Sequence, residues 1–411
     1  MADASTSTAD TAILAPFNEA AGIFFPDLER VEPAESSGDL AQVTTPRGAF
    51  ALRRWEPATT AARVGFVHAA LETARGAGLA GVPEPVARPD RPGEAAVMIG
   101  GRLYDAQTWL PGRLLHRQGV FRSPDGGSIN LPLHPTTPVD DAVADAARFI
   151  GRFHTATRDL AGHPDAPRAP LALMLDSVGA GWSDGRRRLG QIAASTPEVR
   201  RWLRCGNRVV PIASDRLRAS PDLLRETAVV VNGDLWPAHL LRGDDNARIT
   251  GIVDWASAAA GSPLVDLAHL VTHVAGWSAA RAELVLGAYS ETAQLLPEQR
   301  RLLPVVAALD LLADVGWLLS LGFADERLFT DPALPFVRGG AKTLLTSLET
   351  LADVLAPPES RTRSRTWVRR PHRSDGSGPG GTRRSEKAGP RRPPKEGAGR
   401  SPRRSRPRRP G

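Results

Sequence analysis

The sequence predicts an α+β protein of two lobes, a small strand-rich lobe followed by a larger, mostly helical one. Three observations lead there. Residues of about 28–115 read as strands with one helix among them, long amphipathic helical patterns begin at Asp140, and one strand-rich island at 228–254 interrupts the helices. Strands first and helices later, without βαβ alternation, is the order of an α+β chain.

In chain order, residues 1–14 are expected to be a flexible terminus and 15–110 the first lobe. Residues 42–45, the turn Pro46-Arg47-Gly48 and residues 49–55 make a β-hairpin. Val64, Phe66, Val67, Ala70, Leu71 and Ala74 recur at helical spacing, and Gly76 and Gly78 stop that helix. The prolines of 82–89 hold that segment extended. Two short strands flank Gly100-Gly101 within 95–110, and Pro111-Gly112 then breaks the chain.

The second lobe is expected over 111–356. It opens with an amphipathic helix at 140–160, whose Val143, Ala147, Phe149, Ile150 and Phe153 turn inward. Helices are expected at about 185–206 and 214–226, then at 264–275, 278–294, 297–322 and 340–355. Residues 357–411 are nearly devoid of apolar side chains and rich in Arg, Pro, Gly and Ser. Such a segment buries too little surface to offset chain entropy, so a disordered basic tail is expected.

Charge divides the same way. The chain has 52 Lys and Arg against 45 Asp and Glu, a net of +7. Residues 361–411 hold 18 of the basic and 3 of the acidic groups, which leaves 34 basic and 42 acidic in residues 1–360. The body is mildly acidic, so nucleic acid is a partner to consider only through the tail. There is no run of 18 apolar residues to span a membrane, and the start MADASTSTAD has no secretion-signal pattern. With one cysteine, Cys205, an internal disulfide is excluded and a cytoplasmic location is expected. Oligomeric state is not legible.

The chemistry concentrates in residues 229–270. A buried-type strand, 228–231, ends in Asn232-Gly233-Asp234. Residues 240–242 and 247–253 are strands joined by the turn Gly243-Asp244-Asp245-Asn246, and the hairpin ends at Asp254-Trp255. The hairpin folds the chain back, so two carboxylates 20 residues apart face one pocket. Phosphoryl transfer uses that arrangement: one Asp accepts the proton of the attacking hydroxyl, and a second holds the Mg²⁺ that bridges the phosphates.

With NGDLWPAH, IVDW and GSPLVDL in order, the chain resembles the aminoglycoside phosphotransferase and homoserine kinase-like family, a small-molecule branch of the protein kinase-like fold. That family reads H-G-D-x-H-x-x-N, V-I-D-W and G-D-P-x-x-D-L, and the resemblance spans about 28–350. It implies a bilobal kinase-like fold and transfer of the γ-phosphate of ATP or GTP to a small-molecule hydroxyl. A kinase-fold protein that binds a nucleotide or metabolite without turnover is the alternative. By position, Asp234 is the implied catalytic base, Asp254 the Mg²⁺ ligand and Asp266 a carboxylate bracing the loop. Ala51 and Arg53 fall where the kinase strand V-A-I-K contacts adenine and phosphate, with Phe50, Leu52 and Arg54 on the opposite face. Ser37 and Gly38 belong to a candidate phosphate loop, and Gln107 and Trp109 to the segment matching the family's adenine-facing hinge.

Three positions depart from the pattern. His239 stands in the Asn slot, where it acts through a water, favours Mn²⁺ over Mg²⁺, or only hydrogen-bonds the loop. Asn232 replaces the His before Gly-Asp as loop support. No Glu of the first helix clearly faces Arg53: Val67 and His68 fall near the expected place, and Glu72 is the nearest acid. His154 reads as a satisfied core residue. His269 and His273, at i and i+4, read as packed residues because the sequence offers them no third ligand. Trp236 either lines the site or packs beneath it.

Overall fold

Thr60 caps the helix predicted within the strand-rich lobe by accepting from the Arg63 N–H, and Gly78, at φ +86°, turns the chain after it. In the computed structural model this helix, α2 (Ala61–Gly76), buries Val64, Phe66, Val67, His68, Ala70, Leu71 and Ala74, matching the apolar spacing. The structure describes residues 8–34, 39–115, 118–122, 128–132, 140–164, 166–168, 182–220, 228–243, 248–324 and 334–356. Ser37, Gly38 and the basic tail lie outside them. Residues 1–359 form one compact unit, and the second unit, 360–411, falls wholly outside the described residues.

The first lobe is a five-stranded antiparallel sheet ordered β1-β2-β3-β5-β4. Its strands are β1 (Arg30–Pro33), β2 (Leu40–Thr45), β3 (Gly48–Arg54), β4 (Val97–Ile99) and β5 (Arg102–Thr108). The expected hairpin is β2–β3, and Gly100 and Gly101 both adopt positive φ in the turn between β4 and β5. The reading of 1–14 as flexible is corrected for residues 8–14, which belong to helix α1 (Thr8–Phe24); residues 1–7 lie outside the described residues. It forms because the sheet's outer face is apolar and needs cover. Phe17 and Phe24 are 1% exposed, Phe17 meets Tyr104 edge-on at 5.4 Å, and Leu52 joins the same cluster. Each such aromatic contributes on the order of 1.5–3 kcal/mol by leaving water.

The second lobe is helical around short strands, among them the antiparallel pair β7 (Gln118–Arg122) and β8 (Ser128–Pro132). Its helices are α3 (Asp140–Ala156), α4 (182–190), α5 (Pro197–Arg218), α6 (Leu264–His269), α7 (Ala279–Ser290), α8 (Pro297–Phe323) and α9 (Leu334–Leu355). The expected break between 206 and 214 is corrected: it falls at 191–196, and α5 then runs on through Pro211 to Arg218, while 221–226 of the expected second helix lie outside the described residues. Thr196-Pro197 supplies the start signal, with Pro in the first turn where its missing N–H costs nothing. Helix α8 is by length and composition apolar enough to cross a membrane, but 72% of its apolar window is buried against the other helices. Two carboxylates, Asp310 and Asp314, interrupt that apolar sequence.

The strand island pairs as expected, and Asp244, Asp245 and Asn246 of its turn lie outside the described residues. β10 (Leu240–Arg242) and β11 (Ile249–Ile252) form the hairpin, with β6 (Arg113–Leu114) on the far side of β10. β9 (Val229–Val231) pairs with β12 (Ala259–Gly261), a strand the sequence reading omits. The lobes meet where Ile252 N–H donates to Gly81 O at 2.9 Å. A Cβ on Gly81 would stand 2.5 Å from the Phe149 ring and 2.6 Å from Thr250 O, so only glycine permits the approach.

Candidate active site

The turn after β9 is held through its backbone. Asn232 N–H donates to Asp266 Oδ2 and Gly233 N–H to Asp266 Oδ1, both at 2.8 Å. Asp234 N–H donates to Asn232 Oδ1 at 3.0 Å, Leu235 N–H to His269 Nδ1 at 3.0 Å, and Trp236 N–H to Asp234 O at 3.1 Å. Each amide of 232–236 is therefore partnered. Gly233 has φ +78°, and a Cβ there would meet Ser257 O at 2.9 Å. Asp266 is fully buried and is backed by His154 Nε2 at 3.0 Å, whose Nδ1 faces the Tyr289 hydroxyl at 3.0 Å.

Asn232 links the two acidic loops. Its side-chain oxygen accepts from Asp234 N–H, and its Nδ2 donates to the Asp254 carbonyl at 3.0 Å. The amide thus does at both ends what a single donor could do at one. Asp254 itself sits at φ +58°, the one described non-glycine residue in the left-handed region. Such strain persists only where the surroundings fix it, as Asn232 and the Trp255 indole, donating to Ile252 O at 2.8 Å, do here.

The hairpin brings the two acids together. One donor atom each of Asp234, His239 and Asp254 lie within 4.8 Å of one another. His239 Nδ1 lies 2.6 Å from the Asp234 carbonyl oxygen, which can only accept, so that nitrogen carries the proton. Its Nε2 then presents a lone pair 3.5 Å from Asp254 Oδ2. A ligating imidazole has this tautomer, with the far N–H on a carbonyl. Two carboxylates and one such nitrogen fit a divalent cation, and the nitrogen suits Mn²⁺ better than Mg²⁺.

Arg53 reaches across from β3 and donates from its guanidinium to Asp254 Oδ1 at 2.8 Å. Burial works against both charges, yet Asp254 raises the Arg53 pKa further, and Arg53 holds the Asp254 carboxyl well below the usual range. Asp234 is shifted the other way: burial raises it and the Asp254 charge adds.

Sequence reasoning missed the acid behind Arg53. Glu72 is exposed and does not serve. Asp105, opposite Arg53 in the β3–β5 register, is fully buried and contributes to raising the Arg53 pKa. It accepts from the Trp55 indole at 2.7 Å and the Gln107 amide at 2.9 Å, and meets His68 Nε2 at 2.7 Å. The carboxylate expected on the helix has moved to the strand, with the helix supplying the imidazole. An Asp between Tyr104 and Ala106 in an apolar strand was the available signal. Ala51 pairs with Gln107 across β3–β5, and Trp109, 38% exposed, is not a core residue.

The model of the phosphotransferase enzyme family (APH) matches residues 31–305. The chain belongs to that family. Among solved structures, an aminoglycoside phosphotransferase from Alicyclobacillus acidocaldarius superposes with a TM-score of 0.58 at 14% identity, over 82% of this chain and 96% of that one. A spectinomycin phosphotransferase bound to AMP gives 0.55 at 10% identity, over 85% and 99%. A microcompartment-associated aminopropanol kinase gives 0.51 at 14% identity, over 79% and 93%. No curated protein sequence matches the chain. At these identities the likeness is one of fold: the phosphotransferase is kinase-like, an antiparallel sheet followed by a helical remainder.

Proposed function

We propose that this phosphotransferase moves the γ-phosphate of ATP or GTP to a hydroxyl of a small molecule. The observation that carries the reading is the meeting of Asp234, His239 and Asp254 within 4.8 Å beneath Arg53. Asp234 accepts the proton of the attacking hydroxyl; its burial keeps its basicity above that of a solvated carboxylate. Asp254 and His239 hold a divalent cation, which when bound neutralises charge on the β- and γ-phosphates. Arg53 takes the phosphates, its planar fork matching their oxygens. Ala51, Gln107 and Trp109 line the base-binding side, and Asn232 and Asp266 fix the loop.

Asp234→Ala is expected to abolish transfer from ATP to any hydroxyl acceptor, a loss of at least about 10²-fold, with nucleotide binding retained. A screen of hydroxyl metabolites by ATP consumption supplies the acceptor. Unchanged turnover in the variant would remove Asp234 from its role.

One observation favours a second reading, nucleotide binding without transfer. The Arg53–Asp254 pair ties the phosphate-facing cation to the metal-facing acid. With side chains 22% and 35% exposed, the pair stands between a surface pair, worth about 0–1 kcal/mol, and a sealed one. A nucleotide's phosphates can therefore compete for Arg53. Thermal stabilisation by ATP with Mg²⁺ or Mn²⁺, unaccompanied by hydrolysis or transfer, would establish the second reading over the first.

A further inference from the structure

Behind the catalytic turn lies a second group of imidazoles and carboxylates that the chemistry above does not use. His269 ends α6, and the chain continues as a single π turn, Leu270–Val274, which carries Thr272 and His273. Asp310 and Asp314 are one turn apart on α8. Asp310, 4% exposed, meets His269 Nε2 through Oδ1 at 2.9 Å. Its Oδ2 meets His273 Nε2 at 3.1 Å and accepts from the Thr272 hydroxyl at 3.2 Å. His273 Nε2 is also 2.8 Å from Asp314 Oδ2. Trp236, two residues past Asp234, lies against the His273 ring with centroids 4.2 Å apart.

The donor set has the make-up of a metal site, since His269, His273 and Asp310 each offer an atom within 4.8 Å of the others. Hydrogen bonding decides otherwise. A ligating imidazole hands its other N–H to an acceptor. His269 Nδ1 instead faces a donor, the Leu235 N–H, at 3.0 Å. Its proton therefore sits on Nε2 and points at Asp310. This is a closed chain of donors and acceptors from α8 to the backbone beside Asp234.

We propose that Asp310 and His269 are positioning residues that set the catalytic turn by fixing the Leu235 amide, and through it the Asp234 carboxylate. The proposal rests on Asp234 as the base. Asp266 and His269 stand at i and i+3 on one short helix, so one face of α6 grips the turn at both ends. Asp266 takes the amides of Asn232 and Gly233, and His269 takes the amide on the other side of Asp234. An acid backed by His154 holds one side, and an imidazole backed by Asp310 holds the other.

The test turns on where a replacement puts its acceptor. His269→Asn places an amide oxygen near the position of Nδ1, and His269→Gln places one near Nε2. In the full chain, His269→Asn is expected to keep the Leu235 amide protected from hydrogen exchange and to hold ATP turnover within a few-fold. His269→Gln is expected to lose that protection and to lower kcat about 10²-fold with nucleotide KM unchanged, as a slight misplacement of the base would. Nitrogen-15 NMR of the wild-type ring is expected to show Nε2 protonated and Nδ1 accepting. Equal Leu235 exchange in the two variants, a protonated Nδ1, or stabilisation by Zn²⁺ that His269→Asn removes would overturn the proposal. Absence of ATP turnover in the wild type would sink the phosphotransfer reading alone, because the exchange and ring-nitrogen measurements still decide the strut.

Discussion

Two imidazole–carboxylate clusters flank the turn that carries Asp234, and they differ in the direction of one hydrogen bond. At His239, Nδ1 donates to the Asp234 carbonyl and Nε2 is left as a lone pair toward Asp254. At His269, Nδ1 accepts from the Leu235 amide and Nε2 carries its proton to Asp310. The residue types are the same and the separations similar. What the far nitrogen meets decides whether the near one can hold a cation or must hold a proton. Residue composition and distance alone would have assigned both clusters the same work.

The largest effect that tests this contrast comes from removing one carboxylate from each cluster. Asp254→Asn is expected to cost at least about 10²-fold in metal-dependent ATP turnover and to abolish the extra thermal stabilisation that Mg²⁺ or Mn²⁺ adds to ATP. Asp310→Asn is expected to lower kcat while leaving that metal increment intact. Loss of the increment in both variants would erase the distinction. A smaller effect follows at His239. His239→Asn replaces the nitrogen donor with an oxygen, so the preference for Mn²⁺ over Mg²⁺, read as the ratio of apparent metal affinities in an ATP thermal-shift titration, is expected to fall about 10-fold. His269→Asn should leave the ratio where it was. An unmoved ratio in His239→Asn would reduce that imidazole to a loop support.

The sequence carried the fold and the near cluster for the same reason: both are written locally. The β2–β3 hairpin, α2 and the β10–β11 hairpin are set by turn residues and apolar period within 20 residues, and the hairpin brings Asp234 to Asp254. The far cluster joins residues 41 positions apart through the packing of α8 on α6, which no local pattern encodes. Its one signal was two carboxylates within the apolar run of α8. Helix α1 was lost for a related reason: its apolar face makes sense only once the sheet it covers exists. Asp105 was overlooked because the acid expected to back the Arg53 cation was sought on the helix, whereas the β3–β5 register delivers it from the strand.

The smallest expected effect concerns pH and the far cluster. Burial disfavours a charged His273, but its hydrogen bonding to Asp310 and Asp314 prevails and pushes its pKa from 6.5 to about 10. The folded state therefore binds this proton more tightly than the unfolded chain. The stabilisation is complete below about pH 6.5 and is lost as pH rises through about 10. Part of it is offset, because His273 Nδ1 is buried with no hydrogen-bond partner among the described residues, which costs about 1–3 kcal/mol. Between pH 7 and pH 10 the wild type is thus expected to lose about 2 °C or more of Tm beyond what His273→Gln loses over the same range. Parallel Tm curves for the two proteins would mean that His273 is neutral in the fold, and that Asp310 is held by Thr272 and His269 without a charged His273 beside it.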